Sequence, residues 1–147
     1  RSHRAGLVVQ GAFRYLHADA AGGEHVVGYA FAGEFVGDYI SMCVDAPSQV
    51  TIEAMCGAAA LVVTGGRLEA FYRTDAAHER LGRTMAEHML AEVYERLLER
   101  YAASPQQRYE ALLERCPDLL QMVSLRELAS YLGVRPETLS RIRGRIR

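Results

Sequence analysis

Through the first 65 residues apolar and polar positions alternate or fall in short apolar blocks broken by glycine. Residues 7–10 and 12–17 flank Gly11, and residues 25–31 follow a Gly22-Gly23 turn signal. Residues 50–54 and 59–63 are two further short runs, closed by Gly65-Gly66. Short strands at this spacing predict a small antiparallel roll or sandwich. On the residues alone, a fragment of an enzyme domain competes with that reading.

The period changes after Gly66. Residues 67–72 read as one short helix. Thr74 or Asp75 can cap the next, and no proline recurs before Pro105. That permits a helix over residues 75–103, about 43 Å long at 1.5 Å per residue. Met89, Leu90, Val93, Tyr94, Leu97, Leu98 and Tyr101 fall on roughly half of its wheel, with Glu92, Glu95, Arg96 and Glu99 opposite. So broad an apolar band predicts two burial partners, the chain's own roll and a second copy of the chain. Met85, Met89, Leu90, Val93, Leu97 and Tyr101 are the expected dimer interface. Ser104-Pro105 is the joint beyond it. Residues 106–115 form a helix with Tyr109, Leu112 and Leu113 on one face, and Pro117 ends it.

Residues 125–143 carry the most specific pattern. A helix-turn-helix needs a small residue where the second helix crosses the first, a glycine-like residue at the turn, and apolar residues on both sides. Ala129, Gly133, and Leu128, Leu132 and Val134 meet those needs in register. Ser124 can cap the first helix, and Pro136 suits the first turn of the second. Leu139 and Ile142 form the buried side of helix two, which leaves Glu137, Thr138, Ser140, Arg141 and Arg143 outward, with Arg135 just before them. Arginine can bind guanine O6 and N7 with two hydrogen bonds, glutamate can accept from cytosine N4, and serine or threonine can touch a phosphate or a base.

Charge strengthens this reading. All 17 cations are arginine, against 18 anions, for a net charge of −1. Residues 124–147 hold six of the arginines and only Glu127 and Glu137, which makes this end +4 and the remainder −5. A basic end on an acidic body suits an anionic partner. Half of the 147 residues are apolar and 24% are charged, the balance of a globular protein and not of a disordered one. No apolar run approaches the roughly 20 residues of a membrane span, and no secretion signal is visible. Cys43, Cys56 and Cys116 are odd in number and far apart, which fits a reducing cytoplasm and no structural zinc. His3, His17, His25, His78 and His88 are scattered, although His17 and His25 could face each other across the Gly22-Gly23 turn. No nucleophile has a plausible base and no phosphate-binding or dinucleotide fingerprint occurs, so no enzyme activity, metal or cofactor is expected.

With these residues assembled, the sequence resembles the Crp/Fnr transcriptional regulators along nearly its whole length. Gly33-Glu34-Phe35-Val36-Gly37-Asp38 is similar to the glycine-bounded segment of that family's effector-binding β-roll, and the long helix sits where the family has its dimer helix. Pro136-Glu137-Thr138-Leu139-Ser140-Arg141 resembles the recognition helix of the Fnr branch, which implies that Glu137, Ser140 and Arg141 read bases. The resemblance implies an α+β chain: a cyclic-nucleotide-binding-like antiparallel β-roll (1–74), N-terminally incomplete, a long dimerisation helix (75–104) and a helix-turn-helix domain (105–147). It further implies an effector pocket at Gly33, Glu34, Phe35, Gly37, Asp38, Ser48 and Gln49. Double-stranded DNA and a second copy of the chain are the implied partners, RNA polymerase is a further one, and the location is cytoplasmic.

Three departures qualify it. Ala46-Pro47-Ser48-Gln49-Val50-Thr51 lacks the arginine that grips a cyclic phosphate in the cyclic-AMP binders, so the effector is expected to be something else. Cys43 and Cys56 cannot supply the four ligands of an iron–sulfur cluster. The family's first strands and its C-terminal wing have no counterpart here, which reads as truncation at both ends or a reduced wing. A ligand module acting through protein contacts, and a haem or iron–sulfur sensor of the same family, stand as the alternative functions.

Overall fold

The computed structural model describes residues 3–55 and 57–146. Strands β1 (Arg4–Gln10), β2 (Ala12–Ala18), β3 (Glu24–Phe31) and β4 (Phe35–Gly37) lead into a short helix α1 (Tyr39–Cys43). Strands β5 (Thr51–Ala54) and β6 (Ala59–Thr64) follow, then helix α2 (Gly65–Tyr72). The strands make two antiparallel three-stranded sheets, ordered β4-β1-β6 and β3-β2-β5. Val8, Ala30 and Val36 are buried between them, with Phe13, Tyr15 and Ile52 packed around. The strand pattern predicted the roll, and the chain is α+β with two antiparallel sheets and a long helix. It did not predict β4 or α1. Both depend on remote partners: β4 pairs Gly37 with Ala5 and Phe35 with Leu7, and the Asp38 carboxylate accepts the Ser41 N–H that starts α1.

The long helix α3 (Ala76–Ala102) spans 27 residues. Asp75 caps it by accepting from the N–H groups of Ala77 and His78. Helix α2 folds back on α3 at Gly82, where an added Cβ would stand 2.8 Å from the Tyr72 ring. Among the helix positions predicted for burial, Met85, Met89 and Val93 line a hollow shared with the roll. Leu90, Tyr94 and Tyr101 stay 69%, 58% and 83% exposed, and Leu97 and Leu98 are exposed beside them. Glu92 and Arg96, expected on the far side, line the roll-facing hollow.

Helices α4 (Pro105–Arg115), α5 (Leu119–Met122), α6 (Leu125–Leu132) and α7 (Pro136–Ile146) complete the chain. Ser104 starts α4 through a reciprocal box: its Oγ accepts the Gln107 N–H, and Gln107 Oε1 accepts the Ser104 N–H. One buried cluster runs through all four helices, from Tyr109, Leu112 and Leu119 to Leu128, Leu139 and Ile142. Ala12, Tyr29 and Phe31 of the roll belong to the same cluster. The four-residue helix α5 lies between Pro117 and Ser124 and was not foreseen. Among the described residues no helix is long and apolar enough to cross a membrane.

Candidate nucleic-acid interface

Helix α6 ends because Gly133 adopts φ 68°, ψ 33°, a left-handed conformation that costs glycine nothing. Its N–H bonds the Ser130 carbonyl, and the Val134 N–H bonds that of Ala129. These two bonds satisfy the last carbonyls of α6 and set the angle at which α7 leaves. Arg108 of α4 donates to the Leu132 carbonyl at 2.8 Å, which ties α4 to the same turn. Ala129 is fully buried at the crossing, as are Leu128 and Leu139, with Leu132 and Ile142 nearly so.

With Leu139 and Ile142 turned inward, α7 presents Glu137, Ser140 and Arg141 to solvent. Thr138 is half-buried, and its Oγ1 lies 3.5 Å from Arg141 Nη2. Arg135 precedes the helix and is exposed, Arg143 is half-buried, and Arg145 is exposed. Arg147, the last arginine of the basic end, lies outside the described residues, as does Cys56. The result is one convex helix face with two acceptor or donor side chains and a cation at its centre, flanked by further arginines. That is a combination able to meet base edges and phosphates at once.

The residues predicted for an effector pocket separate into two groups. Glu34, Phe35 and Gly37 line a cavity of about 320 Å³ between the roll and α3, which Met85, Met89 and Val93 close. Gly33 is an exposed turn residue outside it. Asp38, Ser48 and Gln49 stand apart. The Asp38 carboxylate accepts from the Ser41 N–H and hydroxyl, and Ser48 Oγ lies 2.6 Å from it. Burial pushes the Asp38 carboxyl up, but these bonds outweigh it and hold the group below the usual range. Gln49 offers its carbonyl to His17 Nδ1 at 2.9 Å. Sequence reasoning missed Tyr15, Tyr29, Glu92 and Arg96 as cavity walls, because each enters from an element distant in sequence. His17 and His25 are register partners across the hairpin, and His25 Nε2 lies 2.7 Å from Asp19. Among the described residues no group of three His, Cys, Asp or Glu is placed to hold a metal.

Glu34 has a second contact. Its two oxygens take two hydrogen bonds from Arg115 of α4, at 2.9 and 2.8 Å, and Oε2 also accepts the Phe31 N–H. Burial pushes the Glu34 carboxyl up, yet the bonds from Arg115 and Phe31 and the charges of Arg115 and Arg96 prevail and hold it low. A carboxylate so depressed adds stability above its ordinary titration range and loses it as pH falls through the lowered value. Thermal melts of the wild type and of Glu34→Gln should therefore differ most at neutral pH and converge as the pH falls below the usual carboxylate range. A gap that stays constant over that range would mean that the ion pair adds nothing to stability.

No protein-family model and no curated protein matches the chain. Solved structures do. FixK2 from Bradyrhizobium japonicum superposes with a TM-score of 0.76 at 21% identity, over 98% of this chain and 74% of that one. The c-di-GMP-responsive global regulator CLP of Xanthomonas campestris gives 0.61 at 18%, over 98% and 77%. A candidate Crp/Fnr-family transcriptional regulator from Eubacterium rectale gives 0.65 at 16%, over 94% and 66%. Likeness at these identities is a statement about architecture: the chain has the fold of Crp/Fnr-type regulators.

Proposed function

We propose that this chain is a sequence-specific DNA-binding transcription regulator of Crp/Fnr type, acting as a homodimer on an inverted-repeat site. The observation that carries the reading is α7, whose buried Leu139 and Ile142 leave Glu137, Ser140 and Arg141 together on an open face within a +4 segment. Glu137, Ser140 and Arg141 read bases, and Thr138 supports Arg141. Arg135, Arg143 and Arg145 meet phosphate. Residues 1–74 serve as a sensing roll, 75–104 as the dimer helix and 105–147 as the DNA-binding domain. The fold likeness to regulators supports this assignment.

Dimerisation rests on the outward side of α3. Leu90, Leu97, Leu98 and Tyr101 form an exposed apolar stripe that no element among the described residues covers. Such a stripe exceeds scattered surface apolar residues and fits the facing helix of a second copy. A pair of α3 helices would place two recognition helices on successive major grooves, about 34 Å apart. Sedimentation of the wild type should then show a dimer, and Leu97→Arg a monomer with an intact circular dichroism spectrum. A dimeric Leu97→Arg variant would remove α3 from the interface.

Phosphate contacts give a separate test. Titrations with a labelled random duplex at graded salt should show Arg143→Ala lowering the salt slope by about one ion, whatever the DNA sequence. An unchanged slope would take Arg143 off the DNA. The effector is expected in the cavity between the roll and α3. With no arginine in residues 46–51 to hold a cyclic phosphate, a ligand other than cyclic AMP fits it better.

A further inference from the structure

A second cavity, of about 630 Å³, opens between α1, the residue before β1 and the first turns of α2. That volume is in the range of small-molecule sites. Tyr39, Leu68 and Tyr72 line both cavities and form the partition between this space and the one beside α3. The charged lining is one-sided: Asp45 and Glu69 contribute carboxylates, and no arginine among the described residues lines it. Glu69 also meets Arg73 at 2.8 Å, but both side chains are well exposed, and such pairs hold weakly. The N-terminal end of α2 adds about half a positive charge, which the carboxylates outweigh.

The backbone sets Asp45 at the rim. Its φ of 48° is the one positive value outside glycine among the described residues. Of the residues with a Cβ, aspartate and asparagine adopt that left-handed conformation most readily. Asp45 Oδ1 lies 3.4 Å from His3 Nε2, a buried atom with no hydrogen-bond partner among the described residues. A buried ring nitrogen left unsatisfied is costly, and an N–H donor seated beside it would remove the cost. The Thr64 side chain, at the N-cap of α2, makes no capping bond. Burial and a hydrogen bond with Cys43 push Tyr39 up to about 12, and burial raises Tyr72 as well, so both rings stay neutral and can face a cation.

We propose that this second cavity binds a protonated primary amine with an apolar tail, its ammonium group at Asp45, His3 and Thr64 and its tail against Met42, Leu68 and Tyr72. An anion would meet the carboxylates, and a body without N–H donors would leave His3 Nε2 unsatisfied. The site shares no residue with the outward face of α7, so its test does not depend on the function proposed above.

Phenethylamine is the probe, with 2-phenylethanol and 3-phenylpropionate as neutral and anionic counterparts of similar shape. Cys43 is exposed and lines this cavity but not the one beside α3. Its alkylation by iodoacetamide in the full chain, followed at that residue by peptide mass spectrometry, therefore reports occupancy. The amine should slow alkylation saturably, by about fivefold at about four times its midpoint concentration, as one-site binding requires. The alcohol and the acid should leave the rate unchanged. Asp45→Asn keeps the left-handed backbone and removes the charge, and should raise the midpoint about fivefold, the size expected for a carboxylate mostly open to water. Glu69→Gln should raise it in the same direction and, lying on α2, tests the charge independently of the loop. Unchanged alkylation in the presence of the amine, equal protection by 2-phenylethanol, or midpoints unmoved by both carboxylate variants would overturn the proposal.

Discussion

Leu139→Ala is expected to destabilise the chain by about 3 kcal/mol, within the 2–5 kcal/mol range for deleting a fully buried leucine side chain. Leu139 has no solvent exposure and sits at the crossing of α7 over α6, against a cluster that includes Leu128, Ala129 and Leu132. The site collapses poorly after truncation, because Ala129 is already the smallest chiral residue there and the Gly133 turn fixes the approach of α7. The cluster is continuous with Ala12, Tyr29 and Phe31, so the loss should spread beyond α7. In urea the wild type and variant should unfold in single transitions of similar slope, with the variant's midpoint displaced downward. A loss below about 1 kcal/mol would mean that α7 does not depend on this seat.

The second large effect concerns recognition. Arg141→Ala should weaken binding to the chain's preferred site by about 1–3 kcal/mol, or some 5- to 150-fold in Kd. It should leave affinity for random DNA lower only by the share of one charge. Arg141 is exposed, its Nη2 lies 3.5 Å from Thr138 Oγ1, and no carboxylate pairs with it among the described residues. Its guanidinium is therefore free to fork onto a guanine edge. Competition titrations against single-base variants of the site should show discrimination lost at one base pair per half-site. Equal losses on specific and random DNA would reassign Arg141 to phosphate.

What the residues disclosed before folding follows the range of the interactions involved. The helix-turn-helix was legible because its requirements are local: Ala129, Gly133, Leu139 and Ile142 lie within 14 positions and each answers a steric need. The long helix was legible from Asp75, the absence of proline and a broad apolar band. Its orientation was not, since Glu92 and Arg96 turned toward the roll and the apolar stripe away from it. That choice depends on which side chains the roll presents, and wheel arithmetic cannot supply it. Strand β4 was invisible because three residues acquire strand geometry only by pairing with β1, some 30 positions earlier. The cavity and the ion pairs between the roll and the C-terminal helices were hidden for the same reason. Glu34 meets Arg115 across 81 positions and Arg14 meets Glu127 across 113, and neither residue type at either position signals a partner.

Asp38 shows the opposite difficulty. The family resemblance implies a ligand contact for it, and the fold also employs it as the cap of α1 and the anchor of the loop that carries Ser48. A short polar side chain at a helix start suits either task.

In the proposed function α7 reads base sequence as one half of a symmetric pair. Selection of bound duplexes from a randomised library, with the full chain at physiological salt, tests this most directly. Enrichment of an inverted repeat whose half-sites lie one helical turn apart is expected, with that enrichment lost in Arg141→Ala. Salt-sensitive binding with no enriched sequence would contradict it, and would reduce the arginines of residues 124–147 to a basic surface.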